Sequence, residues 1–187
     1  ARSPLAPDDR ADIQFHFASV SAEMAGAKPH PWSGCTFSVC QLRPHSRGTV
    51  FVKSRDPLQA PSMLPNYLSH ETDRRCAVES IKFARHLAAA PALGDYISEE
   101  YRPGPGVASD EETLDWARNY GATIFHPSGT CKMGDDALAV VDARLRVHGL
   151  AGLRVVDCSI MPTLVSGNTN SPVVMIAEKA SDMILRD

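Results

Sequence analysis

The last third of the chain sets the terms for everything before it. From Phe125 it reads FHPSGTCKMG and, further on, LRVHGLAGLRVVDCSIMPTLVSGNTNSPVVMIAEKASDMILRD. The order is a histidine, His126, on a loop, a short apolar run, a second loop bearing Asn168 and Asn170, and a helix opened by Pro172. Residues 153–156 (LRVV), bounded by Ala-Gly before and Asp-Cys-Ser after, predict a buried strand. Pro172 as a first-turn residue, Asn170 or Ser171 as cap, and Val173, Ile176, Ala177, Ala180 and Ile184 at helical spacing predict the final helix. The start of that helix turns free N–H groups and the positive end of its dipole toward the asparagine loop. Such a place favours a group that carries or develops negative charge, an alkoxide for example.

At 187 residues the length suits one domain of ordinary size with a real core. Hydrophobic residues make up 43% and charged ones 22%, and the net charge of -3 offers no electrostatic basis for binding nucleic acid or an acidic membrane. No apolar run approaches the roughly 20 residues of a membrane helix, and ARSPLAPDDRAD at the start lacks the apolar core of a signal peptide. The five cysteines form no CxxC pair and are odd in number, which argues for free thiols in a reducing compartment rather than a disulfide framework. The seven histidines include no pair at metal-ligand spacing with supporting carboxylates, so no metal site is expected.

Earlier in the chain, residues 12–20 (DIQFHFASV) alternate, with Ile13, Phe15 and Phe17 on one face, as in a half-buried strand. Residues 36–42 and 49–53 predict two more strands, joined through RPHSRG as a hairpin. The proline-rich stretch 56–68 should run extended into a helix capped by Ser69. That helix, from 70 to about 89, sets Ala77, Ile81, Ala84 and Leu87, with Val78 and Ala88, against Arg74, Arg75, Glu79, Lys82 and Arg85 on a solvated face. GPGVAS at 104–109 superficially suggests a dinucleotide-binding turn, but it follows Tyr-Arg-Pro rather than a strand and lacks the third glycine. Ser109 and Glu112 instead form a capping box for a helix over about 110–119.

Taken alone, His126 before a proline reads as a loop residue, and Asn168 and Asn170 beside glycine read as turn formers. Several long stretches together say more: HPSGTCKMG at 126–134, VVDARLRVHGLAGLRVVDCSIMP at 140–162, SGNTNSPVVMIAEKASDMI at 166–184, and upstream RPHSRGTV at 43–50 and the 56–69 stretch. In this wording and order the chain resembles the C-terminal portion of the glucose-methanol-choline (GMC) flavoprotein oxidoreductases, most closely their choline dehydrogenase branch. The resemblance covers nearly the whole chain. It implies an α+β fold, a mixed or antiparallel sheet covered by helices, plus the last strand and helix of a Rossmann-like FAD-binding domain. It also implies a division into a substrate-domain segment, 1–121, and a catalytic loop with the C-terminal strand and helix, 122–187.

The resemblance further implies FAD as cofactor and a primary alcohol, choline-like, as substrate. His126 matches the catalytic histidine that takes or shares the hydroxyl proton, and Asn168 matches the second catalytic position. An amide there orients oxygen without titrating, while an imidazole titrates near neutrality. Asp157 and Cys158 fall where the last strand meets the ribityl chain and pyrophosphate, and Thr169, Asn170 and Pro172 where the chain approaches the flavin ring. Asp157 also reads as a strand-end turn residue, and Trp32 as either part of an access path or an ordinary packed side chain. The glycine-rich fingerprint for the ADP half of FAD does not occur in these residues, so the chain is expected to be a fragment, inactive without the N-terminal FAD-binding part of the same enzyme. Left without neighbours, the strand at 153–156 would need another partner, with a homodimer as one solution and disorder of the last forty or so residues as another. A cytoplasmic location follows, peripheral to the membrane if electrons pass to a quinone. The contrasting reading is a non-catalytic module that packs on a partner and does no chemistry; a cyanohydrin-cleaving relative on the same scaffold is a distant third.

Overall fold

The computed structural model describes residues 1–24 and 26–187. The chain forms two compact units, Ala1–Ser46 with Leu68–Ala122, and Arg47–Tyr67 with Thr123–Asp187. Both are α/β mixtures built on small antiparallel strand pairs.

In the first unit, β1 (Ile13–Ala18) pairs antiparallel with β2 (Thr36–Gln41), Ile13 opposite Gln41 and Phe17 opposite Phe37. The strand forms where the alternation predicts it, but burial declines along β1 instead of alternating. Ile13 is fully buried, Phe15 meets Phe83 with ring centroids 5.5 Å apart, and Phe17 at the far end is exposed but packs edge-on against Phe37 at 5.1 Å. The helix α1 (Glu71–Ala88) and the helix α2 (Asp110–Tyr120) complete the unit around Ile13, Leu42, Cys76, Val78 and Ile81. The capping box of α2 is present in full, because Ser109 and Glu112 need only local chain to find each other. Trp32 stacks on His30 at 4.4 Å with Tyr101 edge-on, and remains half exposed.

Three expectations change in this unit. The cap of α1 is His70, whose Nδ1 accepts the Thr72 N–H at 3.2 Å, while the Ser69 carbonyl is taken by the Arg74 guanidinium. The buried face of α1 is rotated onto Asp73, Cys76 and Ser80, leaving Ala77, Ala84 and Leu87 half-buried. Most consequentially, β2 does not form a hairpin with the next strand. Asp73, only 2% exposed, accepts the N–H groups of His45 (2.9 Å) and Ser46 (2.6 Å) and the Gln41 amide (3.0 Å), so the chain leaving β2 is fastened to α1.

That carboxylate has a pH signature. Burial pushes its pKa up, but the N–H bonds from His45 and Ser46 outweigh burial and hold it below the ordinary value. A depressed folded pKa gives stability that is present above the unfolded carboxylate range, about pH 4, and lost as pH falls through the folded value. Asp73→Asn should therefore lower stability by about 1–3 kcal/mol at neutral pH, through the imperfectly matched N–H groups it leaves. It should also flatten the acid loss below about pH 4. Urea unfolding at neutral and acid pH reads both effects; equal acid sensitivity of wild type and variant would refute the assignment.

In the second unit, β3 (Thr49–Phe51) pairs antiparallel with β4 (Ser62–Leu64), inside the proline-rich stretch. Gly48 makes this pairing possible, since a Cβ there would lie 2.1 Å from the Leu64 carbonyl oxygen. The rest of the unit wraps Val141, Leu145, Ile160, Met161, Ile176 and Ala180 into a core of its own. The helix α3 (Asn170–Leu185) supplies Ile176 and Ala180 to it. Its cap is Thr169, so Pro172 is the third helical residue, where its missing N–H still costs no helical bond. The apolar stripe read from the sequence is only partly inside, for Ala177 is exposed and so is Ile184.

Residues 153–156 do not form the expected strand. They make a single antiparallel bridge, Arg146 to Arg154, in a meander whose other bridges join Met133 to Val141 and Val141 to Val147. Leu145 is buried and takes a left-handed φ of 63°, outside extended backbone; its carbonyl still accepts the Val155 N–H at 3.1 Å, but the pairing goes no further than the one bridge. Among the described residues no helix is long and apolar enough to cross a membrane.

Candidate functional site

Two loops of the second unit meet at one imidazole. His126 Nε2 lies 3.2 Å from the Asn168 amide nitrogen, and His126 Nδ1 lies 3.0 Å from Thr169 Oγ1. The residues are 42 and 43 positions apart in sequence. His126 is partly exposed and Asn168 exposed, so the pair is reachable from outside, whereas Thr169 is buried at 6%.

The histidine loop is firmly seated. Phe125 adopts a left-handed φ of 62° despite its bulk, its N–H bonded to Thr123 Oγ1 at 3.0 Å. A bulky residue there is strained and persists only where the surroundings enforce it. Pro127 then holds His126 out of helical backbone. Beyond it, the N–H groups of Gly129, Cys131 and Met133 donate to the carbonyls of Cys158, Ser159 and Ile160 at 3.3, 2.9 and 2.7 Å. Gly129 has a φ of +83°, and a Cβ there would approach the Met161 carbonyl to 3.2 Å. The loop is thus laid alongside residues 158–161, whose Ile160 and Met161 belong to the core.

The other sequence-derived residues stand as follows. Asp157 is exposed and caps a short 3-10 turn (Cys158–Ile160), its carboxylate accepting the Ser159 N–H at 2.7 Å. It therefore has a local structural task of its own. Cys158 is half-buried and its carbonyl receives the Gly129 N–H. Asn170 and Pro172 form the first turn of α3, which contains no acidic residue, so the positive end of the helix is not neutralised from within. The contact between Thr169 and the imidazole is not legible in the sequence, where threonine before a helix signals only a cap.

Chemically, the arrangement offers a nitrogen acceptor and an amide donor side by side. A hydroxyl brought between them can pass its proton to Nε2 while the amide N–H steadies the oxygen.

The sequence model of the GMC oxidoreductases matches residues 44–177. The chain belongs to the GMC oxidoreductase family. Among curated GMC relatives, an alcohol dehydrogenase [acceptor] of Pseudomonas putida is 44% identical over 178 residues, covering 95% of this chain and 32% of its own length. An oxygen-dependent choline dehydrogenase of Escherichia coli is 47% identical over 173 residues, covering 92% of this chain and 31% of its own. Of solved GMC structures, a formate oxidase of Aspergillus oryzae, studied for FAD modification, superposes with a TM-score of 0.87 at 28% identity, over 97% of this chain and 32% of that one. The chain therefore spans about a third of the length of these relatives.

Proposed function

We propose that this chain is the substrate-binding and catalytic portion of an FAD-dependent alcohol oxidoreductase that converts a primary, choline-like alcohol to its aldehyde. The observation that carries the reading is the 3.2 Å approach of the Asn168 amide nitrogen to His126 Nε2. The names of the relatives, a choline dehydrogenase and an alcohol dehydrogenase, support the substrate class. In this reading 1–121 is the substrate-domain segment, and 122–187 closes a Rossmann-like FAD-binding domain whose remainder is the N-terminal part of the same enzyme.

The residues present suit the reactive edge of a flavin. The un-neutralised start of α3 favours a group that gains negative charge, and the His126 and Asn168 side chains are open to an approaching molecule. Asn170, Pro172 and Thr169 would adjoin the ring, and Asp157 and Cys158 the ribityl and pyrophosphate chain. FAD, when bound, supplies the acceptor for the hydride that leaves the carbinol carbon. His126 takes the hydroxyl proton at Nε2 as that hydride departs, so the alcohol loses one proton and one hydride and leaves as aldehyde. Asn168 donates its amide N–H to the oxygen throughout and holds the carbinol in line.

The test joins the chain to its N-terminal FAD-binding part. The joined protein should be yellow and reduce a dye with choline or a simple primary alcohol, while the 187-residue chain with excess FAD stays colourless and inactive. A joined protein that binds FAD yet is inert toward every primary alcohol tried would leave only the non-catalytic module.

A further inference from the structure

We infer that Thr169 is a positioning residue for His126: its hydroxyl accepts the Nδ1–H of the imidazole and fixes the tautomer that leaves Nε2 as the acceptor. The consequence for proton transfer rests on the function proposed above; the tautomer itself does not.

An amide nitrogen is a donor only, so with the nitrogen of Asn168 turned toward it at 3.2 Å, His126 Nε2 is the accepting atom of the contact. A neutral imidazole carries a single N–H, which must then sit on Nδ1, and Thr169 Oγ1 lies 3.0 Å from that atom. Thr169 is buried, which limits competition from water for the bond. Its place in the chain adds an independent indication. Thr169 is the cap residue of α3 and of a type that ordinarily turns its oxygen onto the helix N–H groups, yet its hydroxyl makes no cap bond. The oxygen is diverted to the imidazole. Its carbonyl still accepts the Val173 N–H at 3.0 Å, so the hydroxyl is carried on the rigid start of the helix.

Consecutive residues thus grip both nitrogens of one ring, Asn168 at Nε2 and Thr169 at Nδ1, which fixes its tilt as well as its tautomer. When Nε2 takes a proton the ring becomes an imidazolium whose Nδ1–H still points at the threonine oxygen, and a hydrogen bond to a charged donor is the stronger kind. The group that receives the proton is thereby oriented before it arrives.

The experiment uses the 187-residue chain with 15N-labelled histidine, without flavin or substrate, and reads the ring nitrogens by two-bond 1H–15N correlation about two pH units above the ordinary histidine pKa. His126 is assigned by the signal that disappears in H126Q. In wild type its Nδ1 should be pyrrole-like and its Nε2 pyridine-like. T169S should keep this pattern, whereas in T169V the Nδ1–H has no acceptor, the Asn168 amide can turn its oxygen to the ring, and the proton should move toward Nε2. A wild-type His126 with its proton on Nε2 would overturn the inference, because the Asn168 amide would then be turned to accept and Thr169 to donate. An unchanged tautomer in T169V, with the His148 signals in place as a check on folding, would overturn it too. Should T169V fail to fold, the wild-type and T169S spectra decide alone. An Nδ1–H tautomer in a chain whose joined enzyme oxidises no alcohol would sink the catalytic reading and leave the positioning one standing.

Discussion

Replacing His126 by alanine in the joined, FAD-loaded enzyme should lower kcat for alcohol oxidation by about 10²–10⁴-fold, the range for removal of a general base. Bound flavin and KM should change far less. Hydride leaves a carbinol carbon readily only as the oxygen gains alkoxide character, and without an acceptor within hydrogen-bond reach that proton has to go to water. The loop that presents the imidazole is held by three backbone bonds to residues 158–160, none of which involves the His126 side chain. Truncating it should therefore leave the scaffold intact. Stopped-flow reduction with a saturating alcohol separates the two readings. A reductive step within threefold of wild type would mean that the imidazole takes no part in proton removal, whatever its distance from Asn168.

The second large effect lies in the support beneath that loop. Ile160→Ala in the 187-residue chain should destabilise the second unit by about 2–5 kcal/mol, the usual cost of truncating a well-packed core isoleucine. Ile160 is 4% exposed among Val141, Leu145, Met161, Ile176 and Ala180, and its carbonyl accepts the Met133 N–H at 2.7 Å. The same side chain thus anchors the core and the segment to which the histidine loop is laid. Ile184, in the apolar stripe of α3 but 50% exposed, provides the contrast, and Ile184→Ala should change stability by less than about 1 kcal/mol. Urea unfolding followed by a fluorescent or circular dichroism signal should show the Ile160 midpoint falling with little change in slope. Equal effects at the two positions would show that the burial of this unit is organised differently.

What could be read directly from the residues is what is local. The capping box Ser109 and Glu112, the strand β1 and the helices around 71–88, 110–120 and 170–185 all depend on neighbours within a turn or two. The long motifs from 126 onward pointed to the family, and the two side chains that the resemblance singles out, His126 and Asn168, lie 3.2 Å apart in the structure. Strand partners were not legible in the same way. The choice of β1 over β3 as the partner of β2 turns on Asp73 reaching back 28 residues to His45, and at 153–156 the pairing stops at one bridge where Leu145, buried in the core, leaves extended backbone. A valine-rich run specifies only that a segment is suited to a strand, since the ladder is completed by whatever lies beside it. Thr169 shows the same limit at a single side chain. By itself a threonine before a helix is a cap; only the arrival of a histidine from 43 residues upstream gives its hydroxyl a different partner, because a hydroxyl bonds to the nearest suitable group in space and not in sequence.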